Sequence, residues 1–131
     1  PLLYMYGAFG KRLKATDSVD EVFKNGRATI SLGYVGVYET CIAFFGPDWE
    51  KNPEAHQFAE AVVKRMHDYC QEWAAGSGYH YSLYSTPAES LTDTFCHLDQ
   101  EKFGAVPDIT DKQYYTNSFH YDVRKHPTPF E

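Results

Sequence analysis

Three cysteines, Cys41, Cys70 and Cys96, are all that 131 residues supply, an odd number with no Cys-x-x-Cys pair. That excludes a disulfide-stapled scaffold. Free thiols fit a reducing, cytoplasmic compartment. Long apolar runs are missing too, so no stretch reaches the length of a membrane-spanning helix. The chain also opens without the charged-then-apolar pattern of a secretion signal. Basic residues are outnumbered, 12 Lys and Arg against 18 Asp and Glu, for a net charge of −6. A general nucleic-acid binder would carry the opposite balance. The short basic clusters Lys11-Arg12-Lys14, Lys64-Arg65 and Arg124-Lys125 read as solvated surface. No glycine-rich phosphate loop is present, since "GAFGK" and "GYVG" match neither the Walker nor the dinucleotide pattern. The six histidines show no metal-ligand spacing. His67 and Cys70 lie three apart on one predicted helix face, but two ligands do not make a zinc site. No repeat or low-complexity segment appears.

What the chain does have is aromatic weight: 17% Phe, Trp and Tyr, with 11 tyrosines, in a composition that is 43% hydrophobic and 23% charged. Such a chain folds around a core, and its length suits one domain rather than two. Tyrosine buries a ring while its hydroxyl seeks a partner, so the excess implies walls part apolar and part wet, as cores, interfaces and sites all have. The first residue, Pro1, and the closing "HPTPFE" read as cuts through a longer protein, with residues 1–131 a single segment of it.

The pattern of elements is α/β. Residues 1–27 suggest one or two short helices, the second stopped by Asn25-Gly26. "ATISLGYVGVY" (28–38) has the β-branched and aromatic content of a strand, with Gly33 and Gly36 marking a bulge or tight packing against a neighbour. "ETCIAFF" reads as a short helix and "GPDWEKN" as a polar loop. Asn52-Pro53-Glu54 opens a long helix to about residue 75, with Asn52 as cap and Pro53 at the first position. Phe58, Val62, Met66, Tyr69 and Trp73 recur at helical spacing and predict its buried face. "YHYSLYS" predicts a strand over 80–86, and "YYTNSFHYDV" a third over 114–123. Strand, long helix, strand is the pattern of a parallel crossover.

Between the second strand and the next helix stands "YSTPAESLTDTF" (84–95). Thr86 and Glu89 have the spacing of a capping box, and Pro87 suits a first helical position. Leu91, Phe95 and Leu98 fall on the apolar side of this helix. A helix start offers unpaired amides and a positive dipole end, to which a phosphate is suited. If the strands are parallel, this start lies at a strand's carboxyl end, where α/β folds place ligands. The alternative is a well-capped helix and nothing more.

The remaining candidates are modest. Cys70 and Cys41 are explained by burial. Cys96 sits in "FCHLD" beside His97 and Asp99, a nucleophile's companions. Sequential helix residues diverge by about 100°, however, which favours a structural thiol. Asn117 and His120 are polar candidates on the predicted third strand.

Taken together, "ATISLGYVGVYET", "YSLYSTPAESLTDTFCHLD", "EKFG" and "DITDKQYYTNSFHYDVRKHPTPFE" resemble the anaerobic, glycyl-radical class of ribonucleoside-triphosphate reductase. The likeness runs from the first strand to the last residue. It implies a fragment of a ten-stranded α/β barrel in which a cysteine thiyl radical attacks the ribose. A glycyl radical generates that thiyl, formate supplies electrons, and an iron–sulfur, S-adenosylmethionine-dependent activating enzyme installs the glycyl radical. It also implies a homodimer, a zinc site outside this segment, and a role in making deoxyribonucleotides for DNA synthesis. The family's Met-Gly-Cys-Arg radical loop, its Arg-x-Cys-Gly-Tyr run and its paired Cys-x-x-Cys motifs do not occur here. The segment therefore corresponds to the barrel between the radical loop and the zinc region. By the same resemblance "STPAES" is the substrate-phosphate element, with Ser85, Thr86, Ala88, Glu89 and Ser90 as its contacts. Tyr84 resembles a tyrosine placed near the reacting ribose. A non-catalytic nucleotide-binding or interaction module sharing this barrel piece, and a thiol enzyme using Cys96, are the competing readings.

Overall fold

The computed structural model describes residues 2–7, 12–24, 28–85, 87–126 and 128. Two single-turn helices, α1 (Leu2–Met5) and α2 (Asp20–Phe23), precede strand β1 (Thr29–Gly33). The Asn25-Gly26 stop predicted for the second helix lies outside the described residues. After β1 come α3 (Val37–Phe45), a 3-10 turn at Trp49–Lys51, and the long helix α4 (Pro53–Ser77). Strand β2 (His80–Tyr84), helix α5 (Glu89–Phe103) and a 3-10 turn at Val123–Lys125 complete the order.

β1 and β2 pair in parallel, from Thr29 opposite His80 to Gly33 opposite Tyr84. Parallel neighbours need a long crossover, and α3 and α4 supply it. The α/β pattern is therefore present, although the described residues hold two strands and not a barrel. β1 is shorter than predicted because Gly36 takes a left-handed φ of 76° and starts α3 at Val37. A Cβ at Gly36 would meet Glu39 and Tyr115 atoms no closer than 3.6 Å, so the glycine supplies its backbone angle rather than space.

α4 begins as its sequence dictates. Asn52 Oδ1 accepts the Glu54 amide at 2.9 Å, Pro53 is the first helical residue, and Gly78 closes the helix at φ 73°. Its fully buried positions are Ala55, Ala59 and Cys70. The predicted stripe is only partly covered: Phe58, Val62 and Met66 are half-buried, while Tyr69 and Trp73 are 40% and 45% exposed. Those two rings stack on each other at 5.9 Å, and Trp73 meets Tyr81 of β2 edge-on at 5.8 Å. Small residues are buried where α4 approaches its neighbours closely, and the rings lie around that seam.

The apolar core joins Val37, Tyr38, Cys41 and Ile42 of α3 to Trp49 and to Ala55 and Ala59 of α4. Tyr38 packs edge-on against Trp49 at 5.4 Å, and its hydroxyl donates to Glu50 Oε1 at 2.7 Å. Burial, reinforced by that carboxylate, raises the Tyr38 pKa well above a phenol's ordinary value.

α5 reverses its predicted faces. Leu91, Phe95 and Leu98 are 52%, 44% and 54% exposed, whereas Thr92 and Cys96 are buried. The reason is the segment that follows. Residues 104–122 fold back on the Thr92–Cys96 side and meet it with polar groups. The strand predicted over 114–123 is absent, and only a single antiparallel bridge links Asn117 to Val35. Ser118 has a φ of 48°, a left-handed angle that interrupts any strand there.

Candidate functional site

The end of β2 and the start of α5 lie together because only residues 85–88 separate them. Tyr84 is the last strand residue and is 55% exposed. Ser85 is exposed, and Thr86 lies outside the described residues, so its half of the capping box is not described. The helix begins at Glu89, with Ala88 in the cap position and no side-chain cap bond from it. Pro87 therefore stands ahead of the helix rather than in its first turn. The Ala88 carbonyl accepts the Leu91 and Thr92 amides at 2.8 and 3.2 Å. The amides of Glu89 and Ser90 belong to the opening turn, where helix geometry provides no acceptor. Their side chains are exposed. The Glu89 carboxylate shares the positive end of the helix dipole with any anion bound there.

The Ala88 amide has a partner. It donates to Asn117 Oδ1 at 2.7 Å across 29 residues of sequence. Asn117 and His120, predicted on one strand, are instead neighbours in a tight turn, where the His120 amide donates to the Asn117 carbonyl at 2.9 Å. Both line an open cleft of about 390 Å³ whose wall also includes Asp122 and Arg124.

Residues 115–117 are gripped from two sides. On the α5 side the Tyr115 amide donates to the Thr92 carbonyl at 3.1 Å, and the Tyr115 hydroxyl donates to Asp99 at 2.8 Å. Burial, then the Asp99 contact, raises the Tyr115 pKa above the phenol range. On the α3 side the Gly36 amide donates to the Thr116 carbonyl at 2.9 Å. Glu39 receives the Thr116 amide on Oε1 at 2.9 Å and the Thr116 hydroxyl on Oε2 at 2.8 Å.

Glu39 is 3% exposed and also accepts from Lys112 Nζ. Lys112 in turn donates to Asp122 Oδ2 at 2.9 Å. Asp122 accepts from the amide and guanidinium of Arg124 at 2.8–3.1 Å. Burial pushes the Asp122 carboxyl pKa up, but the bonds from Arg124 and Lys112 outweigh it and hold the group well below the usual carboxylate range. Two carboxylates and two cations thus share one network, in which buried charges are paired rather than stranded. Glu39, Lys112 and Asp122 were not legible as a unit, since they are dispersed along the chain. The signal that could have raised suspicion is the one charged residue, a glutamate, in the largely apolar run "VYETCIAFF".

The cysteines are structural. Cys41, Cys70 and Cys96 are free and fully buried. Cys96 Sγ donates to the Lys112 carbonyl at 3.2 Å. Burial raises the Cys96 pKa, with Lys112 pulling the other way, so its thiol stays protonated. His97 turns instead to Asp93, whose carbonyl lies 3.1 Å from Nδ1, and Asp99 is held by Tyr115. The three side chains of "CHLD" do not converge. Among the described residues no three His, Cys, Asp or Glu side chains group so as to hold a metal ion. Among them, too, no helix is long and apolar enough to cross a membrane.

Comparison with known proteins gives a consistent result. The sequence pattern of the family described as anaerobic ribonucleoside-triphosphate reductase matches residues 1–131. The chain is 52% identical over 132 residues to the anaerobic ribonucleoside-triphosphate reductase of Escherichia coli K12, covering 100% of this chain and 18% of that protein. It is 47% identical to the Haemophilus influenzae enzyme of the same name, 19% of which it covers. The corresponding protein of Enterobacteria phage T4 is also 47% identical, with 20% covered. The chain thus spans about a fifth of the length of these relatives.

Proposed function

Since this chain belongs to the anaerobic ribonucleoside-triphosphate reductase family, we propose that it is a segment of such an enzyme's ten-stranded catalytic barrel and holds the substrate's phosphates. The observation that carries this reading is the junction of β2 with α5. Parallel pairing puts Tyr84, Ser85 and the opening turn of α5 at a strand's carboxyl end, with the amides of Glu89 and Ser90 in an exposed first turn. Ser85, Thr86, Glu89 and Ser90 form the rest of the cradle, and Tyr84 stands toward the ribose.

In this proposal the segment works by position. Binding the triphosphate, which does not react, fixes the ribose against a radical centre carried elsewhere in the polypeptide. The radical chemistry comes from a glycyl radical outside this segment, with formate as reductant. The residues here do not fit that role, because the three thiols are fully buried in the packed interior. Zinc likewise belongs to a region beyond these residues. The partners of the whole enzyme are then a ribonucleoside triphosphate, a second copy of the chain in a homodimer, and an iron–sulfur activating enzyme. Its place is the cytoplasm, supplying deoxyribonucleotides for DNA replication.

A structure of the full-length enzyme with bound ribonucleoside triphosphate tests the assignment. Phosphate oxygens should lie within hydrogen-bond distance of the Glu89 and Ser90 amides and of at least one hydroxyl among Ser85, Thr86 and Ser90. Phosphates bound elsewhere would overturn it.

A further inference from the structure

We infer that Asn117 is a positioning residue of this phosphate cradle, an inference that rests on the function proposed above. Its carboxamide oxygen takes the Ala88 amide at 2.7 Å, so that amide is occupied and is not one of the donors offered to a phosphate. The bond also fixes the orientation of the residue that caps α5, and with it the direction of the Glu89 and Ser90 amides. Because Ala88 N–H can only donate, the side-chain atom facing it is Oδ1, and the carboxamide's two N–H donors lie on the other branch. A carboxamide nitrogen is about 2.3 Å from its oxygen, so these donors stand beside the helix start.

The placement of Asn117 is over-determined, as a positioning role requires. Its backbone bridges to Val35, two residues beyond the end of β1. The preceding Thr116 is held by the Gly36 amide and by both oxygens of buried Glu39. Tyr115 is held by Thr92, one turn into α5. The turn therefore ties the carboxyl end of β1, the start of α3 and the start of α5 together at one point. The acceptor for the Ala88 amide thus comes from a side chain 29 residues away.

The test uses the full-length enzyme and compares Asn117→Ala with Asn117→Asp. Alanine removes the bond, while aspartate keeps an acceptor for Ala88 but adds a negative charge beside the phosphates. Equilibrium binding of a ribonucleoside triphosphate and of the unphosphorylated nucleoside is measured for each folded variant. Triphosphate Kd should rise about tenfold in Asn117→Ala, the size of one lost positioning bond. It should rise further in Asn117→Asp, with nucleoside Kd unchanged in both. A purely structural bond would leave triphosphate Kd at the wild-type value in folded Asn117→Ala, and that result overturns the inference. Ser90→Ala separates the two levels. If it weakens triphosphate binding while the Asn117 variants do not, the Asn117 inference alone fails. If it too has no effect, the cradle reading fails.

Discussion

Around α3 and α4 the chain is held by apolar contact: Tyr38, Cys41 and Ile42 meet Trp49, Ala55 and Ala59. Residues 104–122 are held in another way. Thr110 closes the turn after α5, its hydroxyl donating to Gly104 and accepting from the Val106 amide. Gln100 and Cys96 donate to the Thr110 and Lys112 carbonyls. Beyond them lies the buried Glu39–Lys112–Asp122 network. Burial of apolar surface is non-directional, so the first region can tolerate small changes of shape. The second depends on each donor finding its acceptor, and the removal of one strands another. The junction of β2 with α5 rests on the second kind of packing, because Asn117 reaches Ala88 from this turn.

Lys112→Met should break the comparison most sharply. It leaves the buried carboxylates of Glu39 and Asp122 without their shared cation, a change that typically costs about 3–5 kcal/mol. Hydrogen exchange of the full-length protein should show lost protection at the Thr116 and Ala88 amides, with protection in α4 retained. Ile42→Val is the matching change in the apolar core and should cost about 0.5–1.5 kcal/mol, read as a lower melting temperature without a local defect at Thr116.

Acid offers a second way to sharpen the contrast. The folded Asp122 carboxyl pKa is depressed, so its stabilisation is fully present above the unfolded value of about 3.9. It is lost progressively as pH falls from there through the folded value. Acid titration of stability should therefore steepen below about pH 4 in the wild type, and Asp122→Asn should flatten that limb. Cys96→Ser should have the smallest effect. A serine hydroxyl can donate to the same Lys112 carbonyl, so most turnover of the full-length enzyme should remain. Complete loss of turnover in a folded variant would revive a catalytic thiol.

The same division explains what the sequence disclosed. α4 was legible because everything that defines it is local: Asn52 caps it, Pro53 starts it and Gly78 ends it. The parallel crossover followed from the order of elements. The turn at 114–118 was not legible as such, since its β-rich composition suggested a strand while its bonds come from Glu39, 77 residues away, and from the start of α5. For the same reason α5 turned its Thr92–Cys96 face inward, although Leu91, Phe95 and Leu98 made the more apolar stripe. At the site, the position of the strand–helix junction was readable, whereas the partner of Ala88 was not. Asn117 stood out only as one polar residue among several.

The most direct test of the phosphate assignment is the affinity of full-length Ser90→Ala for a ribonucleoside triphosphate, measured alongside its melting temperature. A lost hydrogen bond to a charged group is worth about 1.5–3 kcal/mol, or roughly ten- to a hundredfold in Kd. The phosphate reading predicts that weakening with little change in melting temperature. Wild-type triphosphate affinity in a folded Ser90→Ala enzyme would contradict it and leave the start of α5 as a helix end held in place by Asn117.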